Sequence, residues 1–191
     1  MWPIIYSHLL GVGSAFCVGW AIRLLDDALD QDTDLILGKL NWSIRLGVGT
    51  TAYALYALAL SVLLDAATGV CLLAGAYAIG MLGDTRLLPS KLPGYLEGAL
   101  LWIGAAWRFG LAKAWVALGI MIAVQLIDDL LDRGTDQWLR AGNWSIKIGI
   151  VGTILICLAL ITLIYWLDAW LLLYASLSFT YFQIQERVRK Q

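Results

Sequence analysis

The chain has 191 residues, 61% of them hydrophobic and only 14% charged, with a formal net charge of −1. Soluble domains carry about 25% charged residues, and a chain of this size has more surface than so few charges can cover. With a mean hydropathy of +0.78, the composition excludes a soluble globule, a disordered chain and a secreted disulfide scaffold. The near-neutral charge leaves no basic surface for a nucleic-acid partner. Cys17, Cys71 and Cys157 lie inside apolar runs without metal or disulfide spacing.

A membrane helix takes about 20 apolar residues. In chain order, apolar runs cover residues 2–25, 44–64, 66–83, 93–107, 111–127, 146–167 and 169–183. The first is too long, and lacks the basic start, for a cleaved signal peptide, so it reads as a mature span. The fourth is short and carries Glu97. Basic residues decide whether it crosses. If it does, eleven of the thirteen Lys and Arg residues fall on one side, with only Arg108 and Lys113 on the other; if it does not, the split is seven to six. Basic residues in short loops mark the cytoplasmic face. The expectation is therefore an all-α bundle of about seven spans, with the N-terminus outside and the C-terminus cytoplasmic. Trp42, Trp138 and Trp144 then fall at the cytoplasmic boundary, and Trp2, Trp107, Trp166 and Trp170 at the opposite one, as interfacial aromatic belts do. His8, near that opposite face, reads as a packing or interface histidine.

The sequence repeats itself. The segment from Asp26, DDALDQDTDLILGKLNWSIRLGVGTT, aligns without gaps on DDLLDRGTDQWLRAGNWSIKIGIVGT from Asp128, with 13 of 26 positions identical at an offset of 102 residues. The chain is read as a single transmembrane domain, 1–191, built of two repeats, about 1–102 and 103–191. Four spans separate the two copies, and an even number gives them the same orientation. The repeats would be related by a pseudo-two-fold axis along the membrane normal, and both acidic segments would face each other on the cytoplasmic side. An odd number would place them on opposite faces, as in inverted-repeat transporters.

Nine of the fourteen acidic residues lie in these two segments. Asp26, Asp30 and Asp34 recur every four residues, as do Asp128, Asp132 and Asp136. On a helix this spacing puts each trio on one face, one carboxylate about every 6 Å, while Asp27 and Asp129 point about 100° away. Like charges so placed repel, and a membrane boundary raises their cost. Oxygen-only donors of this density suit Mg²⁺ or Ca²⁺. Mg²⁺ takes one or two carboxylates and fills its other positions with water and phosphate oxygens, so two facing trios would hold two or more Mg²⁺ ions around a diphosphate. A plain solvated acidic loop is the bland alternative, and the matched pair at two helix ends argues against it. Lys39, Arg45, Arg86, Lys91, Arg140 and Lys147 lie on the aspartate side and are suited to the remaining phosphate oxygens, although positive-inside topology alone also places them there. The repeated Asn41–Ile44 and Asn143–Ile146 reads either as support for the aspartates or as a cap, with Ser43 or Ser145 starting the next span.

These residues resemble the UbiA superfamily of intramembrane prenyltransferases, whose members carry an N/D-D-x-x-D-x-x-x-D motif and a second D-x-x-x-D motif. The first corresponds to Asp26, Asp27, Asp30 and Asp34, and the second to Asp128, Asp132 and Asp136. The stretch from Tyr77 through Lys91 to Pro93-Gly94 matches a further family region. The chain departs from the pattern in having Asp26 where Asn is usual, in lacking an Arg-Pro pair after the first motif, and in missing one helix at each end. The resemblance implies a Mg²⁺-dependent transfer of a polyprenyl group from its diphosphate to a lipophilic acceptor within membrane lipid, with Asp26, Asp30, Asp34, Asp128, Asp132 and Asp136 on metal and Asp27 and Asp129 as catalytic candidates. A divalent-cation transporter, a prenyl-diphosphate cyclase or phosphatase, and a non-catalytic lipid-binding relative are the alternative readings. Chain length, acceptor and oligomeric state are not legible in the sequence.

Overall fold

The computed structural model describes residues 2–37, 41–134 and 143–189. Helices α1 (Trp2–Leu29), α2 (Gln31–Leu37), α3 (Trp42–Leu46), α4 (Thr50–Gly80), α5 (Gly94–Phe109), α6 (Leu111–Leu131), α7 (Trp144–Ile148) and α8 (Ile150–Arg189) follow in order, with a 3-10 turn at Gly47–Gly49. There is no strand among the described residues beyond an isolated bridge between Leu87 and Pro93. Among the described residues, four helical stretches are long and apolar enough to cross a membrane: Ile4–Leu29, Trp42–Gly80, Leu111–Leu131 and Ile150–Gln185. Helix α5, with 16 residues, extends about 24 Å, short of a full hydrocarbon core of about 30 Å. The protein is an all-helical membrane protein.

Two of these long helices are interrupted at an aspartate. In α4, Asp65 has φ −152° and ψ 97°, and in α8, Asp168 has φ −157° and ψ 86°. Both values are extended, so the carboxylate becomes the N-cap of a new helix. Asp65 Oδ1 accepts from the amides of Ala67 (3.1 Å) and Thr68 (3.2 Å), and its Oδ2 accepts from the Thr68 hydroxyl at 2.6 Å. Asp168 Oδ1 accepts from the Leu171 amide at 2.9 Å. Each break falls on the single residue that separates two apolar runs of the sequence. At Asp65 the chain turns back on itself. A Cβ on Gly69 would lie 3.3 Å from the Ser61 Cβ, whereas an unbroken helix would hold these positions about 12 Å apart.

The chain divides into two compact units, one of Met1–Leu73 with Leu173–Gln191 and the other of Ala74–Leu172. They cut across the sequence repeat, because the end of α8 joins α1. In the first unit, Gly11, Ala15 and Gly19 form a small-residue stripe on α1. It receives Tyr174, Ser178 and Phe182, which share its four-residue spacing. A Cβ at Gly11 would strike the Tyr174 ring, and one at Gly19 would strike Ser178 and Phe182. Close backbone approach over small residues is how membrane helices pack without a hydrophobic driving force between them. The Ser178 hydroxyl donates to the Ala15 carbonyl at 3.2 Å. His8 Nδ1 hydrogen-bonds the Tyr174 hydroxyl, which is the packing role expected for that histidine. Next to this seam, the buried Ser14 hydroxyl bonds the Ser61 hydroxyl (2.9 Å) and the Asp65 carbonyl (2.9 Å), so the turn at Asp65 is tied to α1.

In the second unit, Gly75 of α4 packs against the backbone of Ala117 and Leu118 of α6, and Gly98 of α5 against Ala78. Trp102 of α5 donates its indole N–H to the Ala114 carbonyl of α6 at 3.1 Å and stacks edge-on against Trp115, centroids 4.6 Å apart. These contacts close α5 and α6 into a hairpin around Gly110, whose φ of +97° favours a residue without a side chain.

Candidate functional site

The aspartates sit where α1 and α6 end. The Asp30 amide donates to the Asp26 carbonyl and the Asp34 amide to the Asp30 carbonyl, both at 2.9 Å, and the Asp132 amide donates to the Asp128 carbonyl at 2.9 Å. These are i to i−4 bonds, but α1 ends at Leu29 and α2 begins at Gln31, so the first trio straddles a helix end and the start of the next helix, and Asp132 is the C-cap of α6. Asp26, Asp30 and Asp132 are exposed, and Asp34 and Asp128 are half-buried. Asp136, Lys39 and Arg140 lie outside the described residues.

Asp27 and Asp129 have a different setting. The Asp27 carboxylate accepts from the Trp42 amide at 2.9 Å, while its carbonyl accepts from the Asn41 side chain (2.6 Å) and the Ser43 hydroxyl (2.9 Å). In the second copy, the Asp129 carboxylate accepts from the Trp144 amide at 2.7 Å, and its carbonyl accepts from Asn143 (2.6 Å) and Ser145 (2.9 Å). The same five groups meet at the same separations along the chain. Each copy is a clasp that folds the acidic helix end back onto the start of the next short helix. Asn41 and Asn143 are also the caps: Asn41 Oδ1 accepts from the Ser43 amide at 2.7 Å and Asn143 Oδ1 from the Ile146 amide at 3.2 Å. The cap is thus the asparagine, not the serine, because the serine hydroxyl is directed to the aspartate carbonyl.

In the first copy one bond connects the clasp to the acidic trio, and in the second copy two further side chains brace the clasp itself. Asn41 Nδ2 also donates to Asp34 Oδ2 at 2.8 Å, which fixes one oxygen of that carboxylate. Gln125 Nε2 donates to Asp129 Oδ1 at 3.0 Å, and Arg133 Nη1 to the Ser145 carbonyl at 3.3 Å. Sequence reasoning passed over Gln125 and Arg133. The identity of Asn-Trp-Ser in both repeats was the available signal for the clasp itself.

Of the basic residues, Arg45 lies over the Trp42 ring and Lys147 over the Trp144 ring, each 5.4 Å from the centroid. Both are exposed. Arg86 forms a two-point pair with Asp84, Nε to Oδ1 at 3.0 Å and Nη2 to Oδ2 at 2.9 Å. These side-chain bonds hold the Asp84 carboxyl below its usual range. Lys91 is exposed with a φ of +64°. Arg86 and Lys91 belong to the loop between α4 and α5, apart in sequence from either clasp.

By chemical type, carboxylate oxygens are ligands that Mg²⁺ takes. Among the described residues, no group of three or more His, Cys, Asp or Glu side chains is gathered as an all-protein cage. Mg²⁺ does not ask for one: it binds through one or two carboxylates and completes its shell with water and phosphate. The carboxylates of Asp26, Asp30 and Asp132 are exposed and supply oxygen of that chemical type.

Comparison with protein-family models, with curated proteins and with solved structures gives no match. The class of the molecule is therefore carried by its helices and its two clasped acidic helix ends.

Proposed function

We propose that this protein is an intramembrane enzyme that transfers a polyprenyl group from its diphosphate to a lipophilic acceptor. The observation that supports it is the duplicated acidic helix end, clasped twice in the same way. A solvated acidic loop has no need of that order.

In this reading the chain crosses the membrane seven times, N-terminus outside. The breaks at Asp65 and Asp168 support two crossings in place of one in each of α4 and α8, and both acidic ends then share the basic, cytoplasmic face. Asp26, Asp30, Asp34, Asp128, Asp132 and Asp136 would hold Mg²⁺, and the metal would supply charge neutralisation for the leaving diphosphate. Asp27 and Asp129 contribute by fixing the helix ends that carry these ligands. Basic residues from the set Lys39, Arg45, Arg86, Lys91, Arg140 and Lys147 neutralise phosphate oxygens. The prenyl C–O bond breaks with its electron pair on the diphosphate, and an acceptor nucleophile forms the new bond and releases a proton.

The test is diphosphate release. Purified protein given a polyprenyl diphosphate, Mg²⁺ and a panel of lipophilic acceptors releases diphosphate and forms a prenylated product. Asp30→Ala and Asp132→Ala abolish both while retaining the helical content of the parent. Saturable, aspartate-dependent Mg²⁺ flux into vesicles, with no prenyl turnover on any acceptor, overturns the proposal.

A further inference from the structure

An apolar groove of about 300 Å³ runs along the first unit beside the clasp. Its lining comes from Cys17, Trp20 and Leu24 of α1, Trp42 of α3, and Tyr53 and Tyr56 of α4. On α1 these residues recur at i, i+3 and i+7, so one face of the helix lines the groove. The groove spans about 10 Å of α1 between Cys17 and Leu24, inside a stretch apolar enough to cross a membrane. Hydrocarbon is the surrounding solvent there.

A cation stands against one lining residue. Arg45 is fixed over the ring of Trp42, 5.4 Å from its centroid, and is exposed. The neighbouring carboxylates are occupied in the clasp, Asp27 by the Trp42 amide and Asp34 by Asn41. The arrangement recurs in the second unit, where Lys147 lies over Trp144 at the same 5.4 Å. In both copies the cation is in the last turn of a five-residue helix that begins at the clasp. A tryptophan with a cation stacked on it suits a lipid headgroup region, where the ring prefers the interface and the cation meets phosphate.

We propose that this groove is a binding site for an anionic phospholipid, with one acyl chain between α1 and α4 and the phosphate on Arg45. The chain itself gives little selectivity, because the bilayer offers equivalent surroundings. Preference comes from the cation. The inference rests on the membrane location and not on the transferase reading, and it assigns Arg45 a lipid phosphate in place of a substrate diphosphate.

The full chain is reconstituted in phosphatidylcholine vesicles containing an equal share of either dibrominated phosphatidylglycerol or dibrominated phosphatidylcholine, and tryptophan quenching is read. The difference between the parent and Trp20→Phe isolates the groove. The expected result is an about fivefold lower half-quenching fraction for the brominated phosphatidylglycerol. Arg45→Gln makes the two lipids equal, and Lys147→Gln leaves the preference at Trp20 intact. Equal quenching in the parent overturns the site, as does a preference that survives Arg45→Gln. Loss of the preference when inorganic diphosphate and Mg²⁺ are added overturns it too, and gives Arg45 to the diphosphate. All of these outcomes are independent of prenyl turnover.

Discussion

The two clasps answer the same problem with different degrees of burial. Asp129 is only 7% exposed, and its carboxylate accepts from both the Trp144 amide and Gln125. Asp27 is half-buried, and the donor facing its carboxylate from the next helix is the Trp42 amide. The backbone arrangement is the shared part, since in both copies the Asn and Ser side chains reach the aspartate carbonyl. Duplication has preserved the fold-back of the helix end, while the surroundings of the carboxylate have diverged. A residue pattern repeated along a chain thus specifies a local hydrogen-bonded unit more firmly than it specifies the environment of any one charge.

The largest effect expected from this difference is at Asp129. Asp129→Ala removes a buried acceptor and deprives the Trp144 amide and Gln125 of their partner, at a cost of about 3 kcal/mol. Asp27→Ala costs about half as much, because water reaches the half-buried site. Unfolding in a denaturing detergent, followed by circular dichroism, measures both. Equal costs would remove burial as the distinction between the clasps.

A second test swaps a pair within the first clasp. Asn41→Asp turns a donor to Asp34 into a like charge, costing about 2 kcal/mol. Adding Asp34→Asn restores a donor and an acceptor to the pair and recovers about half of that loss. Strictly additive single and double variants would show that the 2.8 Å contact carries no coupling.

The helix breaks offer the same kind of comparison at smaller magnitude. Asp65 caps two amides and a hydroxyl, whereas Asp168 receives the Leu171 amide. Asp65→Ala is expected to cost about 2 kcal/mol and Asp168→Ala about 1, read by the same unfolding assay. If Asp168→Ala costs the more, cap bonds are not what holds these breaks.

The smallest effect belongs to the loop. The Asp84 carboxyl is held low by Arg86, so the tie is present above the ordinary carboxylate range and is lost only as pH falls through the lowered value. Carbon-13 titration should place Asp84 below the ordinary carboxylate value of about 3.9, and Arg86→Gln should raise it part of the way back, because the residue-86 amide still donates to Asp84 Oδ1. An exposed pair of this kind contributes little to stability, and Asp84→Asn should leave the unfolding midpoint unchanged. A large shift would give the loop a structural weight like that of the clasps.

Much of this was legible in the sequence. Sustained apolar runs gave helices of membrane character, because no other backbone satisfies its own polar groups in lipid. The four-residue spacing of the aspartates predicts one face per trio only on an unbroken helix, and α1 ends at Leu29 and α6 at Leu131, inside the two acidic segments. The repeat pointed to Asn-Trp-Ser but left its role open between support and cap. Hydrogen bonds spanning 14 to 16 residues have no periodic signature, so the asparagine cap and its second reach to Asp34 emerged only with the fold.

Composition and periodicity by themselves determined that this is a helical membrane protein with two acidic, matched helix ends, because hydropathy and helical spacing are properties of neighbouring residues. Tertiary structure decided what those properties do not encode. It engaged Asp27 and Asp129 in clasps, set Gly11 and Gly19 against Tyr174 and Phe182, and turned the chain at Asp65 so that Ser61 meets Gly69. Each depends on which distant surfaces meet, and that follows from steric fit and from finding a partner for every buried polar group.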